Sequence, residues 1–284
     1  MILIADCGST KIDWCAVNNG EVLKQIFTPG INAVLLTGEE IKARLAAELM
    51  PALGEFLAGR TDAIDAVYFY GAGCISPEVC ANVAEAIRAN IPAGKVEVHT
   101  DLLAAARALC GHAPGIACIM GTGSNSCYYD GAQIASNVSP LGFILGDEGS
   151  GAVLGKLLVG DVLKNQLPAR ICEKFLSQYN LDRLAIIRRV YKEPAPNRFL
   201  ASLAPFLLEN IGEPAIHRLV LESFRAFFVR NVCQYPEHRS VKVNFIGSIA
   251  HHFRKVLSDA ASQTECTVGE ILQSPMPGLI RFHS

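Results

Sequence analysis

The feature that most constrains the fold of this chain is a pattern of strands and turns that occurs twice. In the first copy, apolar and alternating runs predict strands at residues 1–6, 12–18 and 21–28. The pattern returns about 115 residues later, with predicted strands at residues 116–120, 124–129 and 133–138. Asn19-Gly20 and Asp130-Gly131 are two-residue hairpin signals between the last two strands of each copy. The repetition predicts an internal duplication whose halves each open with three antiparallel strands.

The segments after each strand pattern alternate between helix and strand. In the first half, the apolar spacing predicts helices at 37–57, 77–89 and 102–110 and strands at 63–70 and 96–99. In the second half, it predicts a mainly helical region at 150–235, a strand at 241–246 and a helix at 249–261. We expect an α/β chain of two domains with a mixed sheet in each and a cleft between them. The predicted domains are 1–111, completed by the terminal segment 271–284, and 112–270.

The composition excludes several classes of protein. Half of the 284 residues are hydrophobic and 18% are charged, which is typical of a packed globular protein. A net charge of -2 without a basic run argues against nucleic acid or a membrane surface as partner. The first residues lack the basic region and cleavage site of a signal peptide, and no apolar run is long enough to cross a bilayer. We therefore expect a cytoplasmic protein.

The 10 cysteines of the sequence form no CxxC or CxC pair, which argues against a zinc ribbon or a thioredoxin-type site. Most lie in apolar runs, as Cys118 does, and are expected to be reduced thiols in the core. An iron–sulfur cluster shared across a dimer is the alternative, because such a cluster needs few ligands from each chain.

Two glycine turns at matching places in the two copies carry the first functional signal. Backbone amides and hydroxyl groups in such turns can cradle phosphate, and the pair predicts two loops for one triphosphate. Asp6, before the first turn, could hold Mg²⁺ through water. Each turn alone is equally explained as a β-turn between strands. The predicted phosphate-binding residues are Gly8, Ser9, Thr10, Lys11, Gly121, Thr122, Gly123 and Ser124.

A third turn, Gly247-Ser248, joins the strand at 241–246 to a helix. Glycine at this position would let an adenine or ribose lie on the backbone. The alternative is an ordinary strand-to-helix turn in which Ser248 caps the helix.

Acidic and amide side chains near predicted strand ends supply the candidates for catalysis and substrate binding. Asp101 follows the strand at 96–99, and the carboxyl ends of parallel strands line the ligand crevice in α/β sheets. It is the predicted base, although it could merely cap the next helix. Asp147 lies in the glycine-rich segment 146–151, whose glycines suggest close approach to a ligand. The predicted substrate-binding residues are Asn32, Gly73, Asn125 and Asp147.

Taken in order, four motifs resemble those of the N-acetylglucosamine kinase family, within the BadF/BadG/BcrA/BcrD-type ATPases. The motifs are Asp6–Lys11, Gly121–Asn125, Gly146–Ser150 and Phe245–Ser248, and the resemblance covers nearly the whole chain. It implies duplicated ribonuclease H-like domains of the actin/hexokinase type, use of ATP and Mg²⁺, domain closure and a homodimer. For single residues it implies Asp101 as catalytic base, Asn32 and Asp147 at the sugar, Thr10 and Thr122 at the β- and γ-phosphates, and Gly247 at the adenosine.

The sequence departs from the family at two points. Ala72 stands where a sugar-binding serine is expected, which puts the exact sugar in doubt, and the zinc-binding cysteines of the repressor-type relatives are absent. We expect ATP-dependent phosphorylation of an amino sugar, N-acetylglucosamine or glucosamine. Two alternatives are an activator ATPase of 2-hydroxyacyl-CoA dehydratases, which would carry the iron–sulfur cluster, and a sugar or nucleotide sensor without catalysis.

Overall fold

The computed structural model describes residues 1–8, 11–61 and 63–284. These residues form two compact units. Unit 1 comprises Met1–His112 and Pro275–Ser284, and unit 2 comprises Ala113–Ser274. Within the described ranges, no helix is both long and apolar enough to span a membrane.

Unit 1 is built on a five-stranded sheet with the order β3-β2-β1-β4-β5. The strands are β1 (Ile2–Cys7), β2 (Lys11–Asn18), β3 (Glu21–Pro29), β4 (Ile64–Gly71) and β5 (Ala93–Thr100). The helices before unit 2 are α1 (Gly38–Arg44), α2 (Met50–Leu57), α3 (Pro77–Asn90) and α4 (Asp101–Cys110). Strands β1, β4 and β5 are parallel, and β2 and β3 are antiparallel to their neighbours.

The register of unit 1 brings the carboxyl ends of its parallel strands to one edge. Cys7 lies opposite Gly71, and Gly71 lies opposite Thr100. The strands hold this register because a continuous apolar core fixes them. Trp14 is fully buried, packs against Phe69 with 5.8 Å between ring centroids, and donates from Nε1 to Thr28 at 3.1 Å.

The predicted helix at 37–57 is interrupted. Thr37 and Glu40 form a capping box that starts α1, as their spacing favours. One π-helical turn, Leu45–Leu49, then separates α1 from α2, and the amide of Met50 donates to the carbonyl of Leu45. Pro51 explains the break, because it has no amide to continue the regular helical hydrogen bonds.

Unit 2 repeats the sheet of unit 1, with the order β10-β9-β6-β7-β8. Its strands are β6 (Gly115–Met120), β7 (Ser124–Tyr129), β8 (Ile134–Val138), β9 (Val243–Ile246) and β10 (Val268–Leu272). Strands β6, β9 and β10 are parallel, and β7 and β8 are antiparallel to their neighbours. The duplicated α/β fold predicted from the sequence is confirmed. The prediction missed β10, whose five residues include a glycine and a glutamate and are only partly buried or exposed.

Helices cover the sheet of unit 2 and supply most of its core. They are α5 (Gly142–Leu145), α6 (Gly151–Leu163), α7 (Ala169–Gln178), α8 (Arg183–Tyr191), α9 (Pro196–Ala201), α10 (Ala204–Glu209), α11 (Pro214–Arg230), α12 (Ser248–His252) and α13 (Arg254–Ser262). On α11, Val220, Phe224 and Phe227 follow helical spacing and are completely buried. Burying each such side chain contributes about 1.5–3 kcal/mol. The last helix, α14 (Met276–His283), packs on α4 and β1 of unit 1.

Candidate functional site

Two carboxylates lie at the carboxyl edge of the unit 1 sheet. Asp6 is near the end of β1, where it lies opposite Asp13 on one side and Tyr70 on the other. Burial raises the pKa of Asp6 to about 7, the charges of Asp101 and Asp13 add to this rise, and Lys11 opposes it. The structure therefore brings the predicted metal-binding and catalytic carboxylates into electrostatic contact.

The alternative in which Asp101 is the N-cap of α4 was wrong. Thr100 is the N-cap and accepts a hydrogen bond from the amide of Leu103 at 3.1 Å. Asp101 is the first residue of the helix, and burial raises the pKa of its carboxyl group against the effect of the Leu102 amide. A fixed carboxylate with a raised pKa is suited to accept a proton from a hydroxyl group.

Two predicted substrate-binding residues of unit 1 are neighbours. Asn32 is exposed, and its Oδ1 accepts a hydrogen bond from the amide of Val34 at 3.2 Å. Gly73 has a φ of +89°, and a Cβ built on it would lie 3.3 Å from Asn32 Oδ1. Because Gly73 has no side chain, the approach to the Asn32 amide group stays open on this side.

The turn between β1 and β2 is partly described. The amide of Gly8 donates to the carbonyl of Lys11 at 3.0 Å, which closes a turn between antiparallel strands. The Lys11 ammonium lies 5.1 Å from the ring centroid of Phe27. Ser9 and Thr10, the other residues predicted to bind phosphate here, lie outside the described residues.

The glycine turn of unit 2 is held by the first turn of α6. The amide of Gly121 donates to the carbonyl of Gly123 at 2.9 Å. The amides of Gly151 and Ala152 donate to the carbonyls of Gly121 and Thr122 at 2.8 and 3.0 Å. These bonds fix the backbone of the turn, while the Thr122 side chain is exposed and accessible to a ligand.

Asp147 lies against this same turn. A Cβ on Gly123 would be only 2.8 Å from Asp147 Oδ2. Burial raises the pKa of Asp147 to about 6, the charge of Glu148 adds to this rise, and hydrogen bonds from the amides of Ser124 and Gly142 oppose it. The sequence placed Asp147 at the sugar and Gly123 at the phosphates, and the structure brings the two residues together.

The side chains of Ser124 and Asn125 are engaged within the chain. Ser124 Oγ donates to the carbonyl of Glu148 at 2.8 Å. Asn125 Oδ1 accepts from the amide of Ser126 at 2.9 Å and from Asn137 Nδ2 at 3.0 Å. Both residues stabilise the turn and its hairpin in this structure.

The glycines of segment 146–151 have a different role from the one expected. They meet their own chain rather than leaving room for a ligand: a Cβ on Gly146 would lie 2.1 Å from the carbonyl oxygen of Pro140. Gly149 has a φ of +73° and contacts the ring of Phe224. The side chain of Glu148 pairs with Arg230 and accepts from Asn231 at 3.3 Å. This segment is therefore packed tightly on α11 and the residues after it.

The third predicted turn is also shaped by internal packing. Gly247 has a φ of +123°, and a Cβ there would lie 2.4 Å from the carbonyl oxygen of Met120. The alternative in which Ser248 caps the helix was wrong, because Gly247 occupies the N-cap position and Ser248 is the first helical residue. Gly247 thus brings the end of β9 next to the glycine turn at 121–123.

Asp6 is chemically suited to hold Mg²⁺. Within the described ranges, no group of three or more His, Cys, Asp and Glu side chains could hold a metal ion. Mg²⁺ commonly binds through one or two carboxylates, several waters and substrate phosphates. Burial is the largest cause of the raised pKa of Asp6, the charges of Asp101 and Asp13 add to it, and a bound cation would favour the ionised carboxylate.

The described cysteines are free thiols, and seven of the ten are buried. Burial raises the pKa of Cys7 and of Cys74 to about 12, which makes thiolate formation unfavourable. These properties agree with cysteines that serve as small apolar core residues.

The sequence reasoning missed a polar network in unit 1. Arg107 donates to Tyr70 Oη at 2.8 Å, and Tyr70 Oη lies 2.8 Å from His283 Nε2. Burial and then Arg107 lower the pKa of His283 to about 4, so its ring is neutral and shares one hydrogen bond with the Tyr70 hydroxyl group. Tyr70 is the neighbour of Asp6 in the sheet, so this network supports the strand beside the carboxylates. Its members come from three distant segments, and no local spacing signals them.

The chain is similar to several solved structures. A protein of Porphyromonas gingivalis described as a "putative N-acetylglucosamine kinase" is 50% identical, with a TM-score of 0.94 over 100% of this chain and 98% of that chain. No family model matches the chain, and no curated protein matches it.

Two further structures show the fold at lower identity. A Chromobacterium violaceum protein with the same description is 16% identical, with a TM-score of 0.75 over 100% of this chain and 99% of that chain. A hexokinase from Thermus thermophilus is 14% identical, with a TM-score of 0.58 over 99% of this chain and 96% of that chain.

Proposed function

The chain belongs to the N-acetylglucosamine kinase family, and from that premise we propose that it transfers the γ-phosphoryl group of ATP to a hydroxyl of an amino sugar. The observation that carries the proposal is the pair of carboxylates at the carboxyl edge of unit 1. Burial disfavours the ionised form of both Asp6 and Asp101 and raises their pKa, which lowers the stability of the folded protein. Carboxylates perturbed in this way cluster at catalytic sites.

Asp101 is the proposed catalytic base. The sugar hydroxyl gives its proton to the Asp101 carboxylate, its oxygen bonds to the γ-phosphorus, and the bond from that phosphorus to the bridging oxygen of ADP breaks. The position of Asp101 at the start of α4 supports this role, because the helix fixes the carboxylate and Thr100 already supplies the cap. When bound, Mg²⁺ neutralises phosphate charge, and Asp6 would hold it through water.

In the proposed nucleotide site, unit 2 holds phosphate oxygens through the turn Gly121-Thr122-Gly123 and Ser124. The rigid backbone of the turn and the exposed Thr122 side chain support this role. Gly247 and Ser248 are proposed to lie at the adenosine. In unit 1, Gly8, Ser9, Thr10 and Lys11 are proposed to contact the phosphates.

The proposed sugar contacts are Asn32, Gly73, Asn125 and Asp147. Asn32 has the clearest support, because its side chain is exposed and only its Oδ1 is used by the neighbouring backbone amide. The Nδ2 group can then donate to a hydroxyl or to an acetamide carbonyl. We propose N-acetylglucosamine or glucosamine as the acceptor.

The proposal is tested by release of ADP from Mg·ATP with purified protein. The panel contains N-acetylglucosamine, glucosamine, N-acetylmannosamine, N-acetylmuramic acid and glucose, each compared with a sample without sugar. We expect ADP release that depends on one of the first two sugars. Hydrolysis at the same rate with and without every sugar would contradict the proposal.

A further inference from the structure

In unit 2 an acidic side chain occupies the glycine turn that the proposed function assigns to phosphate. The Asp147 carboxylate lies directly against Gly123 and accepts hydrogen bonds from the amides of Ser124 and Gly142. Backbone amides in a glycine turn are the donors that bind phosphate oxygens. In this structure, the protein's own carboxylate uses one of them.

The backbone of Asp147 is fixed on both sides. Its amide donates to the carbonyl of Pro140 at 2.9 Å, and its carbonyl accepts from the amide of Ser150 at 3.1 Å. Its φ of +55° is uncommon for a residue with a side chain and is maintained by these bonds. The residue therefore cannot leave the turn by a small backbone shift. Its carboxylate can leave by side-chain rotation or lose its charge by protonation.

The charged groups around Asp147 do not cancel its charge. Burial is the largest influence and raises its pKa, Glu148 raises it further, and Lys156 lowers it. Lys156 donates to the carbonyl of Phe143 at 2.7 Å, which holds its ammonium group on α5. A phosphate group that enters the turn would meet a like charge at a half-buried site, where repulsion is stronger than in bulk water.

We propose that Asp147 is an internal competitor of the nucleotide, with its carboxylate held in the anion position of the glycine turn until a phosphate group displaces it. The inference rests on the proposed function, because it requires this turn to bind ATP. Once displaced, the carboxylate is available to accept a hydrogen bond from a sugar hydroxyl. A sugar that holds it there raises the affinity for nucleotide, and nucleotide raises the affinity for sugar by the same factor.

The test is ADP binding measured by calorimetry with wild type, Asp147→Asn and the matched control Glu148→Gln. The asparagine has nearly the same shape but no charge, so we expect it to bind ADP roughly tenfold more tightly. The control, Glu148→Gln, removes the charge of the neighbouring residue. Because the Glu148 carboxylate contacts Arg230 and Asn231, its loss should change the ADP affinity by less than about twofold. Equal or weaker ADP binding by Asp147→Asn would overturn the inference.

A second measurement compares the pH dependence of ADP affinity in the wild type and in Asp147→Asn. Asp147 ionises as the pH rises from about 5 to about 7, so the wild-type affinity should fall more over this range than that of the variant, in which Asp6 still titrates. Saturating sugar should reduce this fall in ADP affinity, because bound sugar favours the displaced position of the Asp147 carboxylate. A wild-type profile that is flat, or unaffected by sugar, would contradict the inference. If none of the three proteins binds ADP or ATP, the proposed function fails as well, whereas equal binding by all three refutes the inference alone.

Discussion

Units 1 and 2 have the same strand order but different chemistry at the same edge of the sheet. In unit 1, the edge carries the half-buried carboxylates Asp6 and Asp101. In unit 2, it carries a glycine turn at 121–123 and Gly247, which lies against the Met120 carbonyl. In each unit the sheet brings its own loops to one edge, and the loop residues determine what that edge can bind or catalyse.

The two edges also suit different roles. The turn at 121–123 is bonded to the first amides of α6, and Ser124 is bonded to Glu148, which suits a preformed phosphate-binding turn. In unit 1, Asp6 and Asp101 lie at the corresponding edge, and the raised pKa of Asp101 suits it to accept a proton. We therefore expect unit 2 to hold phosphate and unit 1 to be the site of proton transfer.

The largest expected effect is on turnover in Asp101→Asn. The amide keeps the shape of the side chain but cannot accept the hydroxyl proton, so kcat should fall about a thousandfold. ATP affinity should stay within about twofold of wild type, because phosphate binding is assigned to other residues. Steady-state kinetics and nucleotide titration measure the two quantities. Asp259→Asn, an exposed substitution on α13, is the control and should keep full activity. If Asp101→Asn turned over as fast as this control, the assignment of the base would be wrong.

The next effect compares two glycines beside the central strands. Gly247→Ala should lower the free energy of unfolding by about 3 kcal/mol, because the position has positive φ and the new methyl group meets a backbone carbonyl. Gly71→Ala should cost less, about 1–2 kcal/mol, because the added methyl group meets the buried side chains of Phe69 and Cys74 rather than a backbone carbonyl. Urea unfolding of both variants measures the difference. If both variants lost the same free energy of unfolding, the edge of unit 2 would be no more tightly packed around its glycine than the edge of unit 1.

Asp6→Asn should stabilise the protein at high pH. The pKa of Asp6 is raised from 3.8 to about 7 in the folded state, so its unfavourable contribution grows as pH rises from about 4 through 7. The variant should gain on the order of 2 kcal/mol at pH 8 and almost nothing below pH 4. Thermal unfolding across this range provides the measurement. A gain of the same size at every pH would mean that packing, and not charge, causes it.

The smallest effect separates two asparagines that the sequence placed at the substrate. Asn32→Ala should raise the sugar KM about tenfold with little change in the KM for ATP, because it removes one exposed donor. Asn125→Ala should act mainly on stability, by about 1 kcal/mol, because its Oδ1 is bonded to Ser126 and Asn137. Sugar kinetics and urea unfolding of both variants decide the point. A larger rise in sugar KM for Asn125→Ala would reverse the assignment.

The fold could be predicted because its signal is local and repeated. Apolar strands, hairpin turns such as Asn19-Gly20 and the second copy of the pattern all depend on neighbouring residues. The short strand Val268–Leu272 was missed because it contains a glycine and a glutamate and none of its residues is fully buried. The break at Leu45–Leu49 was missed because apolar spacing continues through a π-helical turn.

The sequence indicated candidate residues one by one but not the contacts between them. The sequence indicated Gly123 and Asp147 as separate features, and their contact depends on how the segment at 140–150 folds back on the turn. The sequence predicted that the glycines of that segment give access to a ligand. Glycine is required at position 146 for another reason, because a side chain there would clash with the carbonyl of Pro140. The role of Thr100 as helix cap could have been found, since a threonine before an apolar helix is a common N-cap signal.

The most direct test of the account is the fate of the γ-phosphoryl group, followed by phosphorus NMR and mass spectrometry of the sugar. The account predicts that wild-type protein with Mg·ATP and N-acetylglucosamine or glucosamine forms a sugar monophosphate and ADP in equal amounts. It also predicts that Asp101→Asn binds ATP normally and forms almost none of this product. Inorganic phosphate with unmodified sugar, or a sugar phosphate formed by Asp101→Asn at the wild-type rate, would contradict it.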